Sequence, residues 1–432
     1  MYHSATMGQA KVTRKAFEST ELLRWIPGIT MMLLNTLSYI DRNTLALLAP
    51  TILRETHLSN EQYGFIISGF SIAYMLFNPL WGRIVDRWGV RMSMTTAVSL
   101  WTVASVSHAF AAGFFGFLVA RTVLGAGEGA TCPGAVSTVT QTFPPSKRMR
   151  GIGIAYSGAS LGALLTPIII TPIAVAWGWR AAFWFTGAAG VFWLALWGLV
   201  LRRADLARSA AHVETRKRPR WNDARLWALI GAYALGGTPV AFVLYQAPIY
   251  LSAALHKSQL EIGQVLWLPP LGWEIGWFFW GWVADRFAWG GASIPALRRQ
   301  FLLLLLLTLP LAAVPHIASY PITVAMLFST MFGAAGFGIA GIAYATRIYT
   351  STFSGFIAGA LSGTWSAAVA LVMPVVGRLF DLHRYNAAFA LATLLPILGY
   401  LVWNGLHLNG TMARQRKAGE INNTSDSIEG QL

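Results

Sequence analysis

The sequence predicts an all-α polytopic membrane protein, with twelve transmembrane helices arranged as two six-helix bundles. Three observations carry this reading. Of the 432 residues, 55% are hydrophobic and only 11% charged, and the mean hydropathy is +0.52. Apolar runs repeatedly reach the ~20 residues that cross a bilayer, and they are continuous rather than alternating, which selects helices over barrel strands. The basic residues behind the net charge of +15 punctuate those runs instead of gathering in one domain, which fits membrane topology and not nucleic-acid binding.

Taken in order, the spans are predicted at 25–48, 62–82, 92–111, 115–142, 151–176, 181–201, 226–250, 262–284, 299–316, 321–346, 355–377 and 387–407. Residues 1–24 read as a cytoplasmic segment with Lys11, Arg14, Lys15 and Arg24, and carry no cleavable signal. Residues 25–201 form the first bundle and 226–407 the second, joined by a basic cytoplasmic linker at 202–225; a polar tail fills 408–432. Placing both termini in the cytoplasm puts about 25 of the 32 Lys and Arg on that side and about five outside, as the positive-inside rule requires. Cys132 is the single cysteine, so neither a disulfide framework nor a cysteine metal site is available.

Against this apolar background the in-span charges stand out. Only Asp41, Glu128 and Glu274 are acids well inside spans, and Arg42 and Arg121 are the bases at similar depth. A charge there costs several kcal/mol and marks a functional site by default. Arg121 and Glu128 are separated by about 700° of helical rotation, so they share one face, with Gly125 and Gly127 between them allowing close approach. Asp41 and Arg42 lie about 100° apart and border one cavity in different directions. Two acids and two bases sum to zero; adding a substrate carboxylate leaves one uncompensated negative charge unless Asp41 or Glu128 takes up a proton. Charge balance alone thus predicts co-binding of a proton and an anion, with Asp41 and Glu128 as proton-coupling residues. Arg42 and Arg121 are the anion ligands, since a guanidinium fork holds a carboxylate through two parallel bonds. The competing reading is a structural ion-pair network pinning helices one and four.

The halves repeat each other. Gly82-Arg83-Ile84-Val85-Asp86-Arg87 follows the second span and Gly281-Trp282-Val283-Ala284-Asp285-Arg286 the eighth; Arg180 with Phe183 before span six is echoed by Arg384 with Phe389 before span twelve. Parallel repeats of this kind place a substrate site at the midplane.

The loop Gly82-x-x-x-Asp86-Arg87-x-Gly89-x-Arg91 and its degenerate second copy resemble the signature of the major facilitator superfamily, and with the repeat and twelve spans the resemblance covers nearly the whole chain. Tyr39-x-Asp41-Arg42 with Ala49-Pro50, Arg121 through Gly129 with Pro133, and Gly178-Trp179-Arg180 with Phe183 resemble the anion:cation symporter family, and within it the hexuronate and sugar-acid importers. The resemblance implies a secondary transporter of the inner (plasma) membrane that imports a sugar acid by proton symport and alternating access. It implies proton-taking acids at Asp41 and Glu128, anion-binding or coupling arginines at Arg42 and Arg121, and pocket tyrosines at Tyr39 and Tyr74. By physics alone Tyr74 reads equally as a packed helix residue. Gln246, Thr364 and Ser366 are candidates for bonding sugar hydroxyls, or else ordinary interhelical glue. Gly82, Asp86, Arg87 and Arg91, with Asp285 and Arg286, correspond to the superfamily's conformational latch.

The expected partners are a small organic anion, a proton (sodium being the alternative ion) and the lipid bilayer. No nucleic acid, cofactor or metal is expected, and the chain is expected to act as a monomer. No phosphate loop, His/Glu helix motif or nucleophile arrangement points to an enzyme. Alternative substrates are another small carboxylate such as an aromatic acid, or a drug or metabolite exported against protons. For the exporter, Gly153, Gly162 and Pro167 fit the expected helix-five motif, but Thr166 and Ile169-Ile170 do not.

Overall fold

The computed structural model describes residues 3–202, 206, 223–288, 294–348 and 354–406. The predicted linker 202–225 lies largely outside these residues, the tail 408–432 lies wholly outside them, and so does the side chain of Asp285. Among the described residues the chain is helical and contains no strand. The helices are α1 (His3–Thr56), α2 (Asn60–Ser107), α3 (Phe114–Glu128), α4 (Thr131–Thr142), α5 (Arg148–Trp177), α6 (Trp179–Val200) and α7 (Ala224–Gly236). They continue with α8 (Thr238–Ala253), α9 (Gln259–Val265), α10 (Leu268–Ala288), α11 (Ile294–Thr308), α12 (Tyr320–Ile348), α13 (Ser354–Asp381) and α14 (Tyr385–Leu406).

Among the described residues, eight stretches are long and apolar enough to cross a bilayer, the first of them running from Asn60 to Phe110. The predicted spans outside this set are 25–48, 115–142 and 262–284, the same three that carry Asp41, Glu128 and Glu274. Large apolar side chains such as Val103, Phe115, Val191 and Leu371 are more than half exposed, which suits a surface bathed in lipid rather than water.

Several predicted spans are broken, each for a local reason. Span 115–142 divides into α3 and α4 because Pro133 has no N–H for the carbonyl of Gly129; Gly129 and Ala130 instead turn back onto Gly125 and Gly127. Span 226–250 divides into α7 and α8 at Gly237, where Pro239 leaves the Leu235 carbonyl to the Thr238 hydroxyl at 2.6 Å. Span 262–284 divides into α9 and α10 just before Pro269 and Pro270. Conversely, the predicted loop between spans two and three shrinks to one residue: Gly89, at φ 77° and ψ 160°, turns the chain inside α2.

The chain forms two compact units: Met1–Thr56 with Ile72–Val213, and His57–Ser71 with Glu214–Leu432. In the first, α1 and α5 meet backbone to backbone. A Cβ built on Gly158 would strike the Met32 carbonyl, and one on Gly162 the Thr36 carbonyl and Tyr39. This small-xxx-small contact is reinforced by the Asn35 amide, which donates to the Ala155 carbonyl at 3.0 Å. The Trp193 indole donates to the Thr30 carbonyl at 2.9 Å, and the Trp179 indole to Glu55 at 2.7 Å, tying both ends of α6 to α1. Gly178, at φ 82°, makes the one-residue turn from α5 into α6.

These contacts fix the stretch of α1 that bears Asp41 and Arg42. Gly162→Val is therefore expected to cost about 1–3 kcal/mol through overpacking, read as a lower melting temperature of the purified protein. Gly153→Val, where an added Cβ meets open space, serves as the control and leaves melting within about 0.5 kcal/mol of the parent.

In the second unit, α10 and α12 approach at Gly272 and Gly276, where a Cβ would lie 2.6 Å from the carbonyls of Phe328 and Phe332. The core there includes Leu229, Phe301, Leu304, Phe337 and Trp403. Asp381, closing α13, caps the start of α2: its carboxylate accepts from the backbone N–H of Asn60 and Glu61 at 2.8 and 2.9 Å. Ser68 bonds the Ala370 carbonyl at 2.6 Å, and Gly64 and Gly377 let the two backbones touch.

Candidate functional site

The first unit holds a cluster of four charges far from solvent. Asp41, Arg42, Arg121 and Glu128 are 2%, 8%, 1% and 0% exposed. Burying such groups is costly unless they are paired, and the pairing is specific.

Arg42 is bonded to Glu128, not to its sequence neighbour. Its Nε donates to Glu128 Oε2 at 2.5 Å, and the same oxygen accepts the Ser38 hydroxyl at 2.6 Å. The guanidinium lies over two rings, 5.0 Å from the centre of Tyr39 and 4.5 Å from that of Tyr74, so aromatic faces as well as the carboxylate favour its charge. Tyr74, buried, also sets its hydroxyl 3.7 Å from the Cys132 thiol. Arg121 donates through Nη2 to the backbone carbonyl of Arg42 at 3.0 Å, so both charged residues of α3 converge on residue 42 from their shared helical face. The glycine at 127 serves a different approach, that of α3 to α2: a Cβ there would meet the backbone of α2 at Ala97 and Trp101.

Asp41 faces another way. Its Oδ1 accepts the Ser105 hydroxyl at 2.7 Å, and Ser105 Oγ is 2.7 Å from Thr186 Oγ1 on α6. Each buried acid therefore has one oxygen engaged and one, Asp41 Oδ2 or Glu128 Oε1, that no protein donor reaches.

The residues predicted on the other unit stand differently. Gln246 is fully buried with neither end of its side-chain amide hydrogen-bonded by the protein. Thr364 and Ser366 donate to their own helix, at the carbonyls of Leu361 and Ser362, 3.0 Å in each case. Glu274 is half-buried on α10. Gly82, Asp86, Arg87 and Arg91 flank the Gly89 turn, with Asp86 and Arg87 exposed; Arg286, on α10, is exposed as well.

Sequence reasoning did not single out Ser38, Ser105 or Thr186. Nothing in an apolar run distinguishes a serine that bonds an acid from one that bonds its own helix, as Ser93 does to Gly89. His108, for which the sequence offers no partner, stacks on Phe183 at 4.9 Å and bonds the Ala104 carbonyl through Nδ1 at 2.7 Å.

Apolar helices closing around buried charge define a multi-pass membrane protein. The sequence profile of the Major Facilitator Superfamily matches residues 31–330, and the chain belongs to that superfamily, whose members are membrane transporters and not enzymes. The chain is 26% identical over 410 residues to the hexuronate transporter of Escherichia coli (strain K12), covering 88% of this chain and 93% of that one. It is 36% identical over 167 residues to the hexuronate transporter of Bacillus subtilis (strain 168), covering 39% and 40% of the two chains. Among solved structures, a bacterial homologue of the human lysosomal transporter Spinster superposes with a TM-score of 0.70 at 18% identity, over 90% of this chain and 96% of that one, a likeness of fold.

Proposed function

We propose that this transporter imports a hexuronate or a related sugar acid together with a proton, by alternating access across the plasma membrane with both termini in the cytoplasm. The observation that supports this most is the neutral cluster of two acids and two arginines, with Arg42 held between Glu128 and two tyrosine rings. The kinship to hexuronate transporters points to the same class of substrate.

In this reading Asp41 takes the coupling proton first. Its hydrogen-bond partner is a hydroxyl, whereas Glu128 has an ion pair with Arg42 to lose. With Asp41 protonated, the cluster carries one net positive charge and is neutral again once the substrate carboxylate arrives. Arg42 and Arg121 then hold the carboxylate, and Tyr39 and Tyr74 wall it. Glu128 is released from Arg42 as the anion takes its place, and serves as a relay site for that same proton. Gln246, with its unsatisfied amide, and less directly Thr364 and Ser366, are assigned to the sugar hydroxyls. Gly82, Asp86, Arg87 and Arg91, together with Asp285 and Arg286, act as the conformational latch. The bundles at 25–201 and 226–407 are the moving bodies.

A small aromatic acid is the second reading, favoured by the two rings beside Arg42. Uptake into proteoliposomes separates the possibilities. The panel is D-glucuronate, D-galacturonate, D-gluconate, benzoate and D-glucose, with pH and sodium gradients imposed separately. The expected result is saturable uronate accumulation driven by an inward proton gradient. Accumulation of glucose but of no acid overturns the anion reading; accumulation driven by sodium alone overturns the proton.

A further inference from the structure

Asp41, Ser105, Thr186 and the carbonyl of Phe183 form an unbroken polar line through three helices. Ser105 donates to Asp41 Oδ1 at 2.7 Å, Thr186 Oγ1 lies 2.7 Å from Ser105 Oγ, and it also reaches the Phe183 carbonyl at 3.2 Å. Ser105 and Thr186 are each 1% exposed. A fixed structural bond would need one hydroxyl; this line has two, ending on an acceptor that leaves the second free to point either way.

We propose that the Ser105 and Thr186 hydroxyls are positioning groups that form a reversible hydrogen-bond relay for Asp41, keeping every buried donor paired in both of its protonation states. The proposal rests on Asp41 being the proton carrier. With Asp41 ionised, Thr186 donates to Ser105 and Ser105 donates to the carboxylate. With a proton on Oδ1, Asp41 donates to Ser105, Ser105 to Thr186, and Thr186 to the Phe183 carbonyl. Only the coupling proton is gained; the two hydroxyl hydrogens merely rotate. Without the relay, one of the two states would hold an unpaired buried donor or a bare carboxylate.

The relay members carry no charge. The charged groups that face Asp41 are Glu128 and Arg121 of α3; His108, buried in the turn after α2, faces Arg121. Neither substitution below alters these groups, so a change in pH dependence reports the hydroxyls.

The two hydroxyls have opposite roles, and this gives the test its sign. Ser105→Ala removes the charge-assisted bond to the ionised carboxylate, so the ionised state loses more. Thr186→Val keeps that bond but takes away the acceptor Ser105 needs when Asp41 is protonated, so the protonated state loses more. Initial rates of D-glucuronate uptake are measured in proteoliposomes across a pH series. The half-maximal point is expected to move to higher pH by about one unit in Ser105→Ala, and to lower pH by a similar amount in Thr186→Val. Thr186→Ser, which restores the hydroxyl, should return the parental profile. If Ser105→Ala does not fold, Ser105→Cys, a weaker donor of similar shape, takes its place and moves the same way.

A purely structural role lowers uptake at all pH values without moving the half-point. Superimposable profiles, or shifts of the same sign, overturn the relay. Asp41→Asn in the same assay separates the two ideas: if it keeps the parental pH dependence, the proton-carrier reading fails. If it abolishes that dependence while the hydroxyl variants leave the profile alone, the relay alone fails.

Discussion

Arg42→Ala is expected to abolish sugar-acid uptake and to destabilise the protein by about 3–5 kcal/mol, because it leaves Glu128 buried without its ion-pair partner. Glu128 is 0% exposed, and Ser38 would remain to donate to it. The two effects are separable. In the double variant Arg42→Met/Glu128→Gln no buried charge is orphaned, so thermal stability in detergent recovers to within about 1 kcal/mol of the parent, or exceeds it, while uptake stays absent. Arg42→Lys keeps the charge over Tyr39 and Tyr74 but loses the planar fork and the Nε donor that meets Glu128. Its apparent affinity for the anion is expected to fall by about 10–100-fold. Recovery of uptake in the double variant would return the cluster to a structural role, pinning α1 to α3.

Asp41→Asn fixes the site in the charge state of the protonated acid. The empty cluster then carries one net positive charge permanently and is neutral with substrate bound. Exchange of external for internal D-glucuronate should therefore persist, and become insensitive to pH. Net accumulation should disappear: electroneutral symport of one proton with one monovalent anion concentrates substrate by about tenfold per pH unit, and that gain is lost. Counterflow and gradient-driven uptake, measured on one batch of vesicles, read both halves of this expectation. A variant that fails at exchange as well would place Asp41 in substrate binding rather than coupling.

The parts of this arrangement visible in the sequence are those where a residue type is improbable in its setting. An acid or arginine inside an apolar run declares itself, which is why Asp41, Arg42, Arg121 and Glu128 could be singled out and why α3's shared face followed from spacing. The repeat of Gly82 to Arg87 at Gly281 to Arg286 likewise points to two halves, the bundles proposed above as the moving bodies. Partners are harder to see. Adjacency suggests Asp41 with Arg42, yet a step of about 100° turns them toward different helices, and the folded pairs are Arg42 with Glu128 and Asp41 with Ser105. Hydroxyls such as Ser38, Ser105 and Thr186 hardly change hydropathy and commonly bond their own helix, so only packing reveals which of them meets an acid. Helix breaks were missed for a related reason. Hydrophobicity runs unbroken through Gly129, Gly237 and Leu266, while the interruption comes from a proline nitrogen two to four residues further on. The docking of 57–71 onto α13 depends on Asp381 and on Gly64 and Gly377, none of which is unusual at a helix end or in a membrane helix.

The central claim is that anion and proton enter together through this cluster. It is tested most directly by adding D-glucuronate to proteoliposomes with no imposed gradient and following internal pH with an enclosed dye. The expected result is acidification of the interior that saturates with D-glucuronate, is independent of sodium, and is absent in Asp41→Asn. Saturable D-glucuronate entry with no movement of protons, or undiminished proton entry in Asp41→Asn, would contradict it.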